Sequence, residues 1–255
     1  MISRRTSLRK LPALALVLCS LALPSGAAPP DAETLLSRTG DTWGPLQAVL
    51  TATMITKRPG REPSVMELRI LRGGKGRTRI DFLSPEKQRG KAILQIQGET
   101  WMYLPRVHRV MEIPQRRNPL SDSMLFEDLF PGGLEATETT VEETEEGYVL
   151  ISSTTSRAHK KKRGTHRIYF HRETLLPFRR EFYGASGRLL KTIHIEETRQ
   201  WKGVRLPWKV RFVDHLRQGN EVVIEIREIR ALEDPGNRFT REGLIPPAEA
   251  PPEHD

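Results

Sequence analysis

Asp81-Phe82-Leu83-Ser84-Pro85, Gly90-Lys91-Ala92-Ile93-Leu94, Trp101-Met102-Tyr103-Leu104-Pro105 and Ser121-Asp122-Ser123-Met124-Leu125-Phe126-Glu127-Asp128-Leu129 are the pieces whose reading decides the fold. The first three read as strands separated by turns. Thr78, Ile80 and Phe82 share one side of a period-2 pattern, and Ala92, Leu94 and Ile96 share another. The fourth piece has a different period. Leu120, Met124, Leu125 and Leu129 recur at helical spacing, and Asp122 or Ser123 can cap the start. A short apolar helix among strands must place its apolar side somewhere, either plugging a sheet or covering a cavity.

Working outward, the same alternation continues in both directions. Leu46, Ala48, Leu50, Ala52 and Met54 form one side of a strand that ends at Arg58-Pro59-Gly60. Met66, Leu68 and Ile70 alternate with Glu67 and Arg69, and Gly73-Gly74-Lys75-Gly76 turns the chain tightly into Arg77. Glu135 to Glu146 reads as a loop or a weak edge strand. Tyr148 to Ser153 and His166 to Phe170 pair across a basic loop, Arg157 to Arg163. Leu176 to Tyr183 places Phe178 and Phe182 on one side. Leu206, Trp208, Val210 and Phe212 oppose Lys209, Arg211 and Val213, and Val222, Ile224 and Ile226 point inward. Near the start, Asp31 caps a short helix through Leu35 and Leu36 that Gly40 stops. About ten to twelve short strands joined by hairpin-like turns predict antiparallel pairing. The expected fold is mainly β, a single curved antiparallel sheet or open barrel rather than an α/β winding.

The ends and the charge bound what such a fold can be used for. Arg4, Arg5, Arg9 and Lys10 precede an apolar run from Leu11 to Leu23, and Ser25-Gly26-Ala27 supplies small residues for cleavage. Residues 1–27 therefore read as a signal peptide, residues 28–235 as one domain, and residues 236–255 as a disordered C-terminal tail. The apolar run is short for a membrane span, and Pro24 ends it. Cys19 is the only cysteine, and Leu18 stands where a lipid-anchoring signal needs a small residue, so anchoring there is not favoured. Cleavage removes four positive charges and takes the net charge from +9 to +5. That excess suits anionic lipid surfaces, and export argues against nucleic acid.

No chemistry-bearing constellation stands out. Gly73-Gly74-Lys75-Gly76 lacks the glycine spacing, the Ser or Thr and the helix of a phosphate loop, so a hairpin turn is the plainer reading. Gly184-Ala185-Ser186-Gly187 lacks the context of a nucleophile elbow. The seven histidines have no metal-ligand spacing, and no metal or cofactor is expected. Glu142-Glu143 and Glu145-Glu146 read as a solvated run, and the basic loop 157–163 as a solvated hairpin tip. What remains is a set of large apolar side chains on strands, which form either an ordinary core or a ligand-holding hollow.

Phe82-Leu83-Ser84-Pro85, Gly90 with Leu94, Trp101-Met102-Tyr103-Leu104-Pro105, the basic Arg109 to Arg117 segment, and Ser121-Asp122-Ser123-Met124 with Glu127-Asp128-Leu129 occur in that order. In this series the chain resembles the LolA-like family of outer-membrane lipoprotein-sorting proteins, and more narrowly their divergent relatives associated with efflux-type exporters. It departs from them at Leu71-Arg72-Gly73-Gly74, where the well-known carriers have an Arg-Pro-Asn-like turn. The resemblance implies a half-open antiparallel barrel with short lid helices and a non-enzymatic, periplasmic carrier of acyl chains. It implies an apolar cavity lined by Met66, Leu68, Ile80, Phe82, Leu94, Trp101, Tyr103, Phe178, Phe182, Trp208 and Phe212, with Met124, Leu125, Phe126 and Leu129 as lid residues. Its partners would be lipoprotein acyl chains or lipid, an inner-membrane exporter and an outer-membrane acceptor, met by a monomer. The alternative within the resemblance is a lipid-sensing or accessory module for an exporter of the RND type.

Overall fold

The structure, a computed structural model, describes residues 29–41, 46–74, 76–114, 138–155, 162–217 and 219–246. Among the described residues one α-helix, α1 (Ala32–Asp41), precedes thirteen strands. These are β1 (Gln47–Arg58), β2 (Arg61–Gly73), β3 (Arg77–Ser84), β4 (Ala92–Ile96), β5 (Glu99–Leu104), β6 (Arg109–Glu112), β7 (Glu138–Thr144), β8 (Gly147–Thr155), β9 (Lys162–His171), β10 (Pro177–Gly184), β11 (Leu189–Trp201), β12 (Val204–Asp214) and β13 (Asn220–Ala231).

All thirteen belong to one sheet in the order β6-β5-β4-β3-β2-β1-β13-β12-β11-β10-β9-β8-β7. Each strand pairs antiparallel with its neighbours. Sequential strands are adjacent except β6 and β7, which stand at opposite ends, and at the centre β1 meets β13, so the two halves of the chain are zipped together by the first and last strands. The sheet is curved and is not closed into a barrel; its ends are β6 and β7. The acidic segment near Glu142 is the edge strand β7. Its turn into β8 needs Gly147, which has φ +142°, and a Cβ there would lie 2.0 Å from the Phe170 carbonyl oxygen.

The leading helix is capped as its sequence predicts: Asp31 Oδ1 accepts the Thr34 N–H at 2.7 Å. That bond holds the Asp31 carboxyl below its usual range. The helix continues through Gly40 to Asp41 rather than stopping before it. Leu35 is fully buried and packs with Tyr148, Leu150, Ile168 and Phe170.

The side of the sheet that carries α1 is called the front face. The back face of β1 to β5 is also covered. Val49, Leu71, Ala92, Leu94, Trp101 and Tyr103 pack there against Leu232, Phe239 and Leu244 of the segment after β13. This corrects the expectation of a disordered tail from residue 236. Phe239 is 5% exposed and Leu244 1%, so the segment through Pro246 is part of the folded unit because its apolar side chains complete the back-face core. Residues 1–28 and 247–255 lie outside the described residues.

Candidate functional site: the apolar front face

The front face is built by register. Met54 stands opposite Met66 and Ile224, Ala52 opposite Leu68, and Leu50 opposite Ile70. Leu68 faces Phe82, Ile70 faces Ile80, and Ile80 faces Ile93. On the other side Val222 faces Phe212, which faces Ile193. Because side chains alternate with a period of two, one in-register row of apolar residues per strand makes a continuous stripe. The stripe crosses seven adjacent strands, from β4 to β11, and forms one cluster of seventeen buried residues. Most members have almost no exposure, so this face is closed to solvent in the structure.

Of the eleven residues expected to share one cavity, Met66, Leu68, Ile80, Phe82, Trp208 and Phe212 belong to this cluster, and Phe182 packs against its edge. Leu94, Trp101 and Tyr103 do not share the face. Leu94 pairs with Trp101 and Ala92 with Tyr103 in the row that points backward, while their neighbours Ile93 and Met102 point forward. The guanidinium of Arg241 lies 4.3 Å from the Trp101 ring centre, and Tyr103 Oη is 3.3 Å from His108 Nδ1. Phe178 is also out of step with Phe182. A bulge between Pro177 and Arg179 adds a residue to β10. The Phe178 ring therefore meets Tyr169 and His171, with centroids 6.2 and 4.6 Å away. Met124, Leu125, Phe126 and Leu129 lie outside the described residues.

Ala48, Leu50, Ala52, Met54, Ile70, Ile93, Ile193, Leu206, Val222, Ile224 and Ile226 complete the front cluster. Alternation marked several of them as inward, but the size of the aromatic residues drew the expectation elsewhere.

Polar groups on this face include Arg72 and a cluster around Phe182. Arg72 is 6% exposed and donates through Nη1 to Thr78 Oγ1; burial pushes its guanidinium down to about 10. Around Phe182 gather three basic groups: Lys191 Nζ at 4.3 Å, the Arg180 guanidinium at 5.4 Å, and the His166 ring edge-on at 4.6 Å. The apolar stripe thus runs into a basic collar on β9, β10 and β11. Among the described residues no group of three or more His, Cys, Asp or Glu side chains is close enough to hold a metal ion. No described helix is long and apolar enough to cross a membrane.

The fold is that of several solved proteins. A LolA superfamily protein from Nitrosomonas europaea matches with a TM-score of 0.68 at 19% identity, covering 83% of this chain and 98% of that one. A domain from Vibrio parahaemolyticus, named for outer membrane lipoprotein sorting, matches with a TM-score of 0.69 at 22% identity, covering 84% and 99%. A DUF1329 family protein from Desulfovibrio piger matches with a TM-score of 0.67 at 18% identity, covering 83% and 96%. No curated protein matches the sequence. A family model described as "uncharacterized protein" matches residues 74–245, from the turn before β3 to the end of the back-face segment. The chain belongs to that family, and its fold is the open curved sheet of the LolA superfamily.

Proposed function

We propose that this protein is a periplasmic carrier that shelters the acyl chains of a lipoprotein or lipid on its front face on the way to the outer membrane. The observation that carries the reading is the single apolar cluster spanning seven adjacent strands on one face of a sheet that does not close. Each CH₂ of an acyl chain exposed to water costs about 0.8 kcal/mol, so transit needs a continuous apolar surface rather than a few scattered contacts. The basic collar around Phe182 borders that surface and suits the polar, often anionic end of an amphiphile. The signal segment at residues 1–27 supplies the route to the periplasm. The name of the Vibrio parahaemolyticus domain agrees with lipoprotein sorting as the task. An inner-membrane exporter as donor and an outer-membrane acceptor complete the reading.

The test uses the tryptophans as reporters, because Trp208 is on the front face and Trp101 on the back. A brominated fatty acid bound at the front quenches Trp208 at short range. Titration should quench wild type and Trp101→Phe saturably, with most of the quenching lost in Trp208→Phe. Quenching that vanishes in Trp101→Phe and survives in Trp208→Phe would move the ligand to the wrong face and defeat the proposal. Delivery separates a carrier from a sensing module: a carrier passes labelled lipoprotein to acceptor vesicles, and a sensor retains it.

A further inference from the structure

A second feature lies on the back face, away from the apolar stripe. Arg230, Val49, Leu71 and Arg79 stand opposite one another on the adjacent strands β13, β1, β2 and β3. With strands about 4.8 Å apart, the two arginines are carried on backbones roughly 14 Å apart, with an apolar floor of two residues between them. The C-terminal segment crosses over this row: Arg79 donates through Nη1 to the carbonyl oxygens of Arg238 and Gly243. Floor and crossing segment enclose a cleft of about 590 Å³, a size that takes a small organic ligand.

The cleft is strongly cationic. Among the described residues Arg69, Arg79, Arg230 and Arg238 line it, against one carboxylate, that of Asp81. That carboxylate is already held by two of them, with Arg69 Nη2 at 3.0 Å and Arg79 Nε at 2.7 Å. Arg230 and Arg238 form no ion pair with any described residue and are exposed. Arg230 and Arg238 also line a smaller adjoining cleft of about 290 Å³ together with Glu233 and Asp234, but form no ion pair with either carboxylate. The Asp234 carboxylate accepts the Gly236 N–H there at 2.8 Å. Two guanidinium forks without an ion-pair partner among the described residues, beside a pair that fixes the cleft wall, offer the bidentate donors that an oxyanion takes. Surface arginines without partners repel one another, so an anion between them gains from both.

We propose that this back-face cleft binds a phosphate-type oxyanion, with the phosphate between Arg230 and Arg238 and the carbon next to it against Val49 and Leu71. The same chemistry is offered by a soluble phosphate monoester and by the headgroup of an anionic phospholipid, and the test separates them. The mature protein and its Arg230→Gln/Arg238→Gln variant are titrated calorimetrically with inorganic phosphate and glycerol 3-phosphate. Both are also sedimented with vesicles of phosphatidylcholine alone or mixed with phosphatidylglycerol. Wild type should show one saturable site for the phosphates, or retention on the phosphatidylglycerol vesicles but not the neutral ones. The variant should weaken either by about tenfold or more. Binding of the soluble phosphates without vesicle preference assigns the cleft to a free phosphate, and the vesicle preference assigns it to a headgroup. Acyl-chain quenching of Trp208 should persist in the variant, which keeps this site distinct from the front face. No saturable binding and no vesicle preference, or binding that the double substitution leaves unchanged, overturns the proposal.

Discussion

Glu181 gathers much of the electrostatics of the β9–β11 back face. Tyr169 Oη donates to its Oε2 at 2.8 Å and Tyr183 Oη donates to the same oxygen at 2.7 Å, while Arg179 Nε lies 3.4 Å from Oε1. Burial and then this carboxylate push the Tyr183 phenol up to about 12. A raised acid stabilises the fold in its protonated form. The contribution is complete below the ordinary value of 10 and is lost as pH rises through about 12. Glu181→Gln removes the hydrogen-bonded charge and leaves the burial, so the Tyr183 titration should fall part of the way toward 10. Absorbance titration of the phenolates measures this, and an unshifted Tyr183 contradicts the assignment. This cluster had no sequence signal, because Tyr169, Arg179, Glu181 and Tyr183 belong to two strands whose register was not known. Phe178 shows the same limit: period-2 reading places it with Phe182, and one bulged residue in β10 turns it to the other face.

At the scale of elements, the segment after β13 is the part that composition misjudged. Its prolines and acidic residues read as a tail, yet Phe239 lies against β2 so closely that a Cβ at Gly73 would stand 2.8 Å from the ring. The absence of a side chain at Gly73 is what lets the ring lie on the strand. Phe239→Ala should destabilise the protein by about 3–5 kcal/mol, the cost of truncating a buried aromatic side chain, as read from urea unfolding. A change within half a kilocalorie would mean the segment adds nothing to the fold. By contrast, the start of α1 was legible, because its cap is a local interaction: Asp31 needs only the N–H three residues ahead. The strand ladder was legible for a similar reason. Each hairpin carries its own turn residues and its own alternation, as at Pro59-Gly60 between β1 and β2.

For the whole molecule, a front face that is closed to solvent sets the order of events. On the proposed carrier reading, an acyl chain would have to displace contacts among Leu68, Phe82 and Phe212, so opening would precede binding. The observed rate of Trp208 quenching should therefore level off at a ceiling as acyl ligand is raised in stopped-flow mixing. A rate that climbs in proportion to ligand without limit would show that the face is open beforehand. Part of the candidate site was visible in the chain: Met66, Leu68, Ile80 and Phe82 follow from alternation, and Trp208 with Phe212 from the cleanest strand pattern. Leu94, Trp101 and Tyr103 could not be placed, because Ala92 to Leu94 is apolar on consecutive residues and such a run does not say which side faces which core. The sequence by itself determined the helix cap, the strands, their antiparallel hairpins and the β class, since each depends on neighbours a few residues apart. Only the tertiary structure decided which row of each strand faces front, that both faces of β1 to β5 are covered, and that β1 joins β13. Those outcomes depend on register and on contacts between distant segments, where a shift of one residue reverses every side chain.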